Sequence, residues 1–166
     1  MWAKPGFEIN QAIQDFLAGG DIVLDQELFL YDIQASKAHA TGLSRIGVLS
    51  QSENEQLQVQ LDSLAKLFQQ GQFILDARFE DGHSAIEQYL TEQLGDIGKK
   101  IHPGRSRNDQ VLVASRLWLK HQLKNLVVHC KAISATALQR AESEALTPLP
   151  GYTHMQRAMV SSLGMW

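Results

Sequence analysis

Apolar residues along this chain recur mostly at helical spacing, and glycine and proline interrupt them at intervals. The clearest run has apolar residues at steps of four, three and four, which places them on one face of a helix: Leu57, Leu61, Leu64 and Phe68. Two pairs upstream have the spacing of a capping box, Ser50 with Glu53 and Ser52 with Glu55. Because Gly71 follows the last apolar position, we predict a helix from about residue 50 to residue 70.

Three further helices are predicted before residue 104, over about residues 7–18, 21–41 and 83–94, each followed by glycine. The apolar face predicted for the second of them consists of Leu24, Leu28, Tyr31 and Ala35. No segment alternates apolar and polar residues with enrichment in β-branched side chains, so no strand is predicted. The predicted fold class is therefore all-α.

A much longer helix is predicted over about residues 108–145, which contain neither proline nor glycine. One face repeats at steps of four and three, as in a seam against a partner helix: Leu119, Leu123, Leu126, Cys130, Ile133 and Ala137. Such a helix is about 55 Å long, whereas a globule of this chain length spans only about 30 Å. We therefore expect that other chains, or sequence absent from this one, pack along it.

The contrast between the shorter helices before residue 104 and the long helix after it predicts two domains. Residues 1–104 would form a small N-terminal helical domain, and residues 105–166 the start of a truncated central helical bundle that opens with its first long helix. Ser161 and Ser162 resemble a new helix cap and are followed by apolar residues, so we expect the chain to stop at the start of a helix.

Composition excludes several classes of protein. The net charge of −3 argues against a general nucleic-acid binder, and the single cysteine, Cys130, excludes a disulfide framework and a cysteine-rich zinc site. No apolar run reaches the ~18 residues of a membrane span, and the N-terminus lacks the pattern of a signal peptide. We expect a soluble, cytoplasmic protein with Cys130 as a small core residue.

Two segments have candidate chemistry. Residues 99–107 carry four fixed positive charges to the start of the long helix, where unpaired N–H groups favour anions. The alternative is that Ser106 or Asn108 only caps the helix while the arginines are solvated. Residues 150–157 place Thr153 and His154 side by side on a loop, where an imidazole could exchange protons or simply lie at the surface.

A third segment, Glu80 to Glu87, holds acids and His83 within eight residues. Metal binding is one interpretation. We favour the other, in which the acids stabilise a helix N-terminus and Ser84 with Glu87 forms a capping box. His39, His121 and His129 show no ligand spacing, so we expect no metal site.

Together these segments resemble the argininosuccinate lyases of the fumarase/aspartase superfamily. GRSRNDQ at residues 104–110 matches that family's motif letter for letter, PGYTHMQRA at 150–158 matches PGYTHxQRA, and EDGH at 80–83 matches EDxH. The resemblance implies cofactor-free, reversible cleavage of argininosuccinate to arginine and fumarate by a homotetramer, with each site shared between subunits. It makes His154 the catalytic histidine and implies a substrate-binding set: Asn108, Thr153, Arg107, Ser106, Asp25, Asp21 and Gln156.

Some positions depart from the family's pattern. Asp21 stands where many members have a substrate-binding serine, Glu27 replaces the arginine of the early FDxRL segment, and Pro103 precedes the glycine of GRSRNDQ. The loop GSSxMPxKxN, which holds the family's expected base, does not occur in these residues. We therefore expect this chain alone to be an inactive fragment.

Other functions are left open. A crystallin-like structural protein on the same fold is one alternative, and another lyase of the superfamily is a second. A nucleic-acid-binding module built on residues 99–107 is a third, which the acidic net charge and the lack of interleaved aromatic residues oppose.

Overall fold

The computed structural model describes residue 16, residues 20–76 and residues 78–166. Five helices lie within them: α1 (Asp21–Arg45), α2 (Gln51–Gln69), α3 (Gly82–Leu94), α4 (Asp96–Lys99) and α5 (Arg107–Ser143). Four two-residue strands follow: β1 (Pro148–Leu149), β2 (Tyr152–Thr153), β3 (Gln156–Arg157) and β4 (Ser161–Ser162). The all-α prediction is confirmed for this part of the chain. The helix predicted over residues 7–18 lies outside the described residues except for Phe16, which is helical.

The chain divides into two compact units, Met1–Leu119 and Lys120–Trp166. The division falls within α5, later than the domain boundary predicted after residue 104 from composition and helix pattern. That boundary stays a prediction. None of the helices in the described residues is long and apolar enough to cross a membrane.

Helix α2 begins at a capping box, as the sequence predicts. The Ser50 hydroxyl accepts a hydrogen bond from the Glu53 N–H at 3.2 Å, and the Glu53 carboxylate accepts one from the Ser50 N–H at 2.8 Å. Ser50 is therefore the cap, and the alternative pair Ser52 and Glu55 lies within the helix. The predicted apolar face is also confirmed, since its first three leucines are fully buried: Leu57, Leu61 and Leu64.

This cap leads to a first testable prediction. Ser50→Ala removes the acceptor for the Glu53 N–H, and we expect it to lower the free energy of unfolding by about 1 kcal/mol in urea titrations. Ser52→Ala is the matched control, because Ser52 lies in the first turn of the same helix without capping it. The control should change stability by less than about 0.5 kcal/mol. Equal losses in the two variants would contradict the assignment of the cap.

The predicted apolar face of α1 is wrong in register. Leu24 is 67% exposed, while the buried face consists of Phe29, Asp32, Ile33, Ser36, Ala40 and Leu43, with Ala35 at its edge. Two members of this face are polar, and a search for apolar periodicity passes over polar positions. These two side chains are buried because they contact polar groups on other elements of the fold. Those contacts are described below.

The core of the first unit lies where α1, α2 and α3 pack together. Its aromatic part stacks Phe29 against Phe73 at 5.7 Å between ring centroids, with Phe68 tilted against Phe29 at 4.8 Å. The short helix α4 approaches α3 closely at Gly98, where a Cβ atom would lie 2.3 Å from the backbone carbonyl of Leu90. Only glycine fits there without movement of the backbone. This contact lies in the C-terminal half of α3, and the candidate site begins at the other end of the helix.

In the second unit the predicted seam is largely exposed: Leu123 is 52% and Ile133 is 70% exposed, and Cys130 is exposed as well. The expectation of Cys130 as a core residue is therefore wrong for this unit. A helix face is buried only where another element covers it, and the end of the chain returns to this helix near Glu144, whose carbonyl accepts a hydrogen bond from Gly164 at 3.0 Å. A partner along the seam stays a prediction.

Two small antiparallel sheets complete this unit, although no strand was predicted. Strand β1 pairs with β4, and β2 pairs with β3. Ser161 and Ser162, expected to cap a helix, instead form β4 opposite Pro148 and Leu149. Segments of two residues are too short for an alternating pattern to show in the sequence.

Candidate functional site

The GRSRNDQ segment forms the start of α5, and Arg107 is the first residue of that helix. One guanidinium nitrogen, Nη1, lies 2.7 Å from the Glu80 carboxylate and 3.1 Å from that of Asp81. The other, Nη2, donates to the Ser84 hydroxyl at 3.2 Å. The hydrogen bond from Arg107 holds the pKa of Glu80 below its usual range. Arg107 thus ties α5 to the acidic start of α3.

Ser106 caps α5, as the capping interpretation of this segment holds, but the arginines are not solvated as that interpretation expects. Its N–H donates to the Asp109 carboxylate at 2.7 Å, and its hydroxyl lies 3.4 Å from the Asp109 N–H. These contacts repeat the geometry of a capping box with aspartate in the third helical position. Asn108, by contrast, is exposed, and its side chain makes no hydrogen bond within the part of the chain that the structure describes. Of these two side chains, Asn108 is the one left open to a ligand.

The four positive charges of residues 99–107 do not form a free basic surface. Lys99 pairs with Asp96 at 2.8 Å, Lys100 pairs with Glu53, and the half-buried Arg105 donates to the Ser36 hydroxyl at 3.2 Å. With Arg107 on Glu80 and Asp81, each of the four is engaged within the chain. This arrangement leaves no unpaired cationic run of the kind that binds a nucleic-acid backbone.

Asp25 on α1 lies against the first residue of α3. Its Oδ2 accepts a hydrogen bond from the Gly82 N–H at 2.7 Å, and a Cβ atom at position 82 would lie 3.3 Å from that oxygen. Burial raises the pKa of the Asp25 carboxyl, although the Gly82 hydrogen bond and nearby His83 oppose the rise. Asp21, the other acid of α1 in the predicted set, is exposed at the first residue of the helix.

A buried pair that sequence reasoning missed lies beside Asp25. His83 hydrogen-bonds to Asp32 through Nδ1, and both side chains are buried. Burial alone would lower the pKa of His83, but its hydrogen bond to Asp32 and the charges of three nearby carboxylates raise it overall. A charged residue inside the buried stripe of α1, between Phe29 and Ile33, was the signal that could have revealed Asp32.

The acids of residues 80–87 stabilise a helix N-terminus, as we favoured, but not through the predicted pair. Asp81 is the N-cap of α3 and accepts a hydrogen bond from the Ser84 N–H at 2.7 Å. The capping box predicted for Ser84 and Glu87 is therefore wrong. Within residues 20–76 and 78–166, no group of three or more His, Cys, Asp or Glu side chains is arranged to hold a metal ion.

The PGYTHMQRA segment forms a tight hairpin in the second unit. Thr153 pairs with Gln156 across β2 and β3, and His154 and Met155 form the two-residue turn. Both turn residues have positive φ, 51° and 61°, as the primed hairpin turns require. Non-glycine residues rarely adopt this conformation, and it is concentrated at functional sites. The Thr153 hydroxyl and His154 Nδ1 share a hydrogen bond of 2.9 Å on the exposed tip.

The predicted site residues thus form two groups. Residues 21, 25, 106, 107 and 108 belong to the first unit, where Arg107 and Asp25 both contact the start of α3. Thr153, His154 and Gln156 are brought together on the hairpin of the second unit. In the first group the start of α5 sets where its polar side chains lie, and in the second group the hairpin turn does so.

A family model described as lyase matches residues 20–166, which include both groups. The chain belongs to this lyase family. Among its relatives, the argininosuccinate lyase of Xanthomonas axonopodis pv. citri is 60% identical over 166 residues, 100% of this chain and 38% of that protein. The argininosuccinate lyase of Stenotrophomonas maltophilia strain R551-3 is 57% identical over the same shares. The chain therefore spans 38% of the length of these relatives.

Proposed function

We propose that this chain is the N-terminal part of an argininosuccinate lyase, an enzyme of arginine biosynthesis that reversibly eliminates fumarate from argininosuccinate. The observation that carries the proposal is the 60% identity to an argininosuccinate lyase across all 166 residues, the GRSRNDQ and PGYTHMQRA segments included. The open side chain of Asn108 and the exposed His154 support it, because both are available to a substrate.

The reaction needs a base, an anion site and a proton donor. A base removes a proton next to a carboxylate of argininosuccinate, and negative charge builds on that carboxylate. The C–N bond then breaks, the carbon–carbon double bond of fumarate forms, and the guanidine of arginine leaves with a proton. Donors fixed in place before the reaction stabilise such developing charge most effectively. No cofactor takes part in this sequence of steps.

The residues of the two groups have distinct roles in this proposal. Asn108 and Thr153 bind the substrate, with Arg107 and Ser106 beside the carboxylates at the start of α5. Asp25 and Asp21 suit the cationic arginine part of the substrate, since an acid attracts a guanidinium and repels a carboxylate. His154 moves the proton at the leaving guanidine, and Gln156 supports its hairpin.

Assembly and location belong to the proposal too. The exposed apolar seam of α5 supports further helices that pack along it. By the family resemblance, we propose that these helices belong to a homotetramer in which each site combines regions from different subunits. We place the whole enzyme in the cytoplasm, as expected for biosynthesis of an amino acid.

The first experiment uses this chain alone. Incubated with argininosuccinate at high protein concentration, it should release no fumarate above background in an absorbance assay, because the GSSxMPxKxN segment with the expected base is not among its residues. Turnover above background would contradict the proposal that this chain holds only some of the residues that the reaction needs.

The second experiment supplies the part of the relatives' sequence that follows the matched region. A chimera joins these 166 residues to the part of the Xanthomonas axonopodis argininosuccinate lyase that follows the matched region, and the intact Xanthomonas protein is the reference. We expect the chimera to release fumarate from argininosuccinate. A folded chimera that binds argininosuccinate without turnover would instead favour the crystallin-like alternative for this chain.

A further inference from the structure

A small, partly open cavity lies beside Asp25 in the first unit, lined by α1, the start of α3 and the start of α5. Its volume is about 10 Å³. A water molecule needs at least about 10–15 Å³, so the cavity is just large enough for one water. Its polar walls come from three side chains, Asp25, Asp32 and His83, while α5 contributes only Val111 and Ala114.

Two buried polar atoms of these walls have no hydrogen-bond partner among the described protein groups, Asp32 Oδ1 and His83 Nε2. His83 is 9% exposed and Asp32 is 2% exposed, so bulk solvent cannot satisfy them. Buried polar groups that lack protein partners are commonly satisfied by ordered water with two to four polar neighbours. The cavity provides the space and the neighbours for such a water.

We propose that this cavity holds one structural water that joins Asp25 to the Asp32–His83 pair, and that Asp32 and His83 are positioning residues for the Asp25 carboxylate. The importance of this positioning rests on the proposed function, in which Asp25 binds substrate. Asp32 orients the His83 ring through Nδ1, the ring and the water fix one side of Asp25, and the Gly82 N–H fixes the other at 2.7 Å.

The charges around the cavity affect the pKa values of Asp25 and His83. A role of these residues in packing alone would leave those pKa values unchanged. Asp25 faces His83 and the two carboxylates of Asp32 and Asp81, and His83 faces the three carboxylates of Asp25, Asp32 and Asp81. The Arg105 guanidinium lies close enough to Asp32 to interact with its charge. His83 lowers the pKa of Asp25, so its removal should raise that pKa. Asp32 raises the pKa of His83, so its removal should lower that pKa.

The test is nuclear magnetic resonance of this 166-residue chain, which needs no substrate. In the unchanged protein we expect a long-lived water with nuclear Overhauser contacts to the Gly82 amide and the His83 ring. In His83→Gln the titration midpoint of the Asp25 carboxyl should rise by at least about one pH unit, a tenfold change in proton affinity. Asp62→Asn is the control, since Asp62 pairs with Lys37 on the surface, and it should move neither signal.

Two outcomes would overturn the proposal: no long-lived water in the unchanged protein, or an Asp25 midpoint in His83→Gln equal to that of the unchanged chain. If His83→Gln does not fold, Asp32→Asn replaces it, and there the His83 midpoint should fall by about one unit. In the chimera, Asp32→Asn should raise KM for argininosuccinate about tenfold with a smaller effect on kcat. An inactive chimera with the expected resonances would count against the proposed function and leave the water site supported.

Discussion

Fumarate release by the chimera will fall at least about 100-fold when His154 is replaced by asparagine, because a positioned general acid or base contributes about 10²–10⁴-fold to such a reaction. Asparagine keeps the positive φ that the turn requires, since it tolerates the left-handed region better than most residues. The hairpin should therefore persist while the group that moves the proton is lost. The measurement is kcat for argininosuccinate cleavage at saturating substrate.

The matched control for this variant is Met155→Asn. Met155 is the second residue of the same turn, has φ 61° and is fully exposed, but it has no group that can transfer a proton. We expect its kcat to stay within about threefold of the parent chimera. A similar loss in both variants would mean that the turn as a whole, rather than the imidazole, matters for activity.

Gly98→Ala should lower the free energy of unfolding of the first unit by about 3 kcal/mol, at the upper end of the usual cost of overpacking. The added methyl carbon would lie 2.3 Å from the carbonyl carbon and oxygen of Leu90, which are backbone atoms of α3 and cannot rotate away. The two helices must separate to admit it. Urea unfolding of this chain, followed by circular dichroism, measures the loss.

Gly42→Ala is the control for the effect of replacing any glycine within a helix by alanine. Gly42 lies within α1, and a Cβ atom there meets nothing within 4 Å. Alanine should therefore stabilise the protein by about 0.5–1 kcal/mol, because it loses less backbone entropy than glycine on folding. If both substitutions changed stability in the same direction and by a similar amount, close packing of α4 on α3 would not explain the role of Gly98.

Local signals in the sequence predict much of this fold. Two possible capping boxes place the start of α2 within two residues, and the leucines that follow are buried as their spacing indicates. The long helix is also predicted well, because a run without proline or glycine has few ways to stop. Both signals act within one or two helical turns of the chain, so no tertiary information is needed to detect them.

Structural features that depend on partners far away in the sequence could not be predicted in the same way. The face of α1 was misplaced because Asp32 and Ser36 are buried against His83 and Arg105, residues far away in the sequence. For the apolar seam of α5 the pattern predicts a partner helix, and among the described residues none covers the seam. The sequence therefore identifies the motifs of the candidate site, while the contacts of Arg107 and Asp25 with α3 emerge only from the fold.

The most direct test of the proposed enzyme is the yield of fumarate and arginine from argininosuccinate in the presence of the folded chimera. If these 166 residues form the N-terminal part of an argininosuccinate lyase, the two products will appear in equal amounts, and His154→Asn will suppress both. A folded chimera that yields neither product, while the intact Xanthomonas protein yields both under the same conditions, would contradict the proposal.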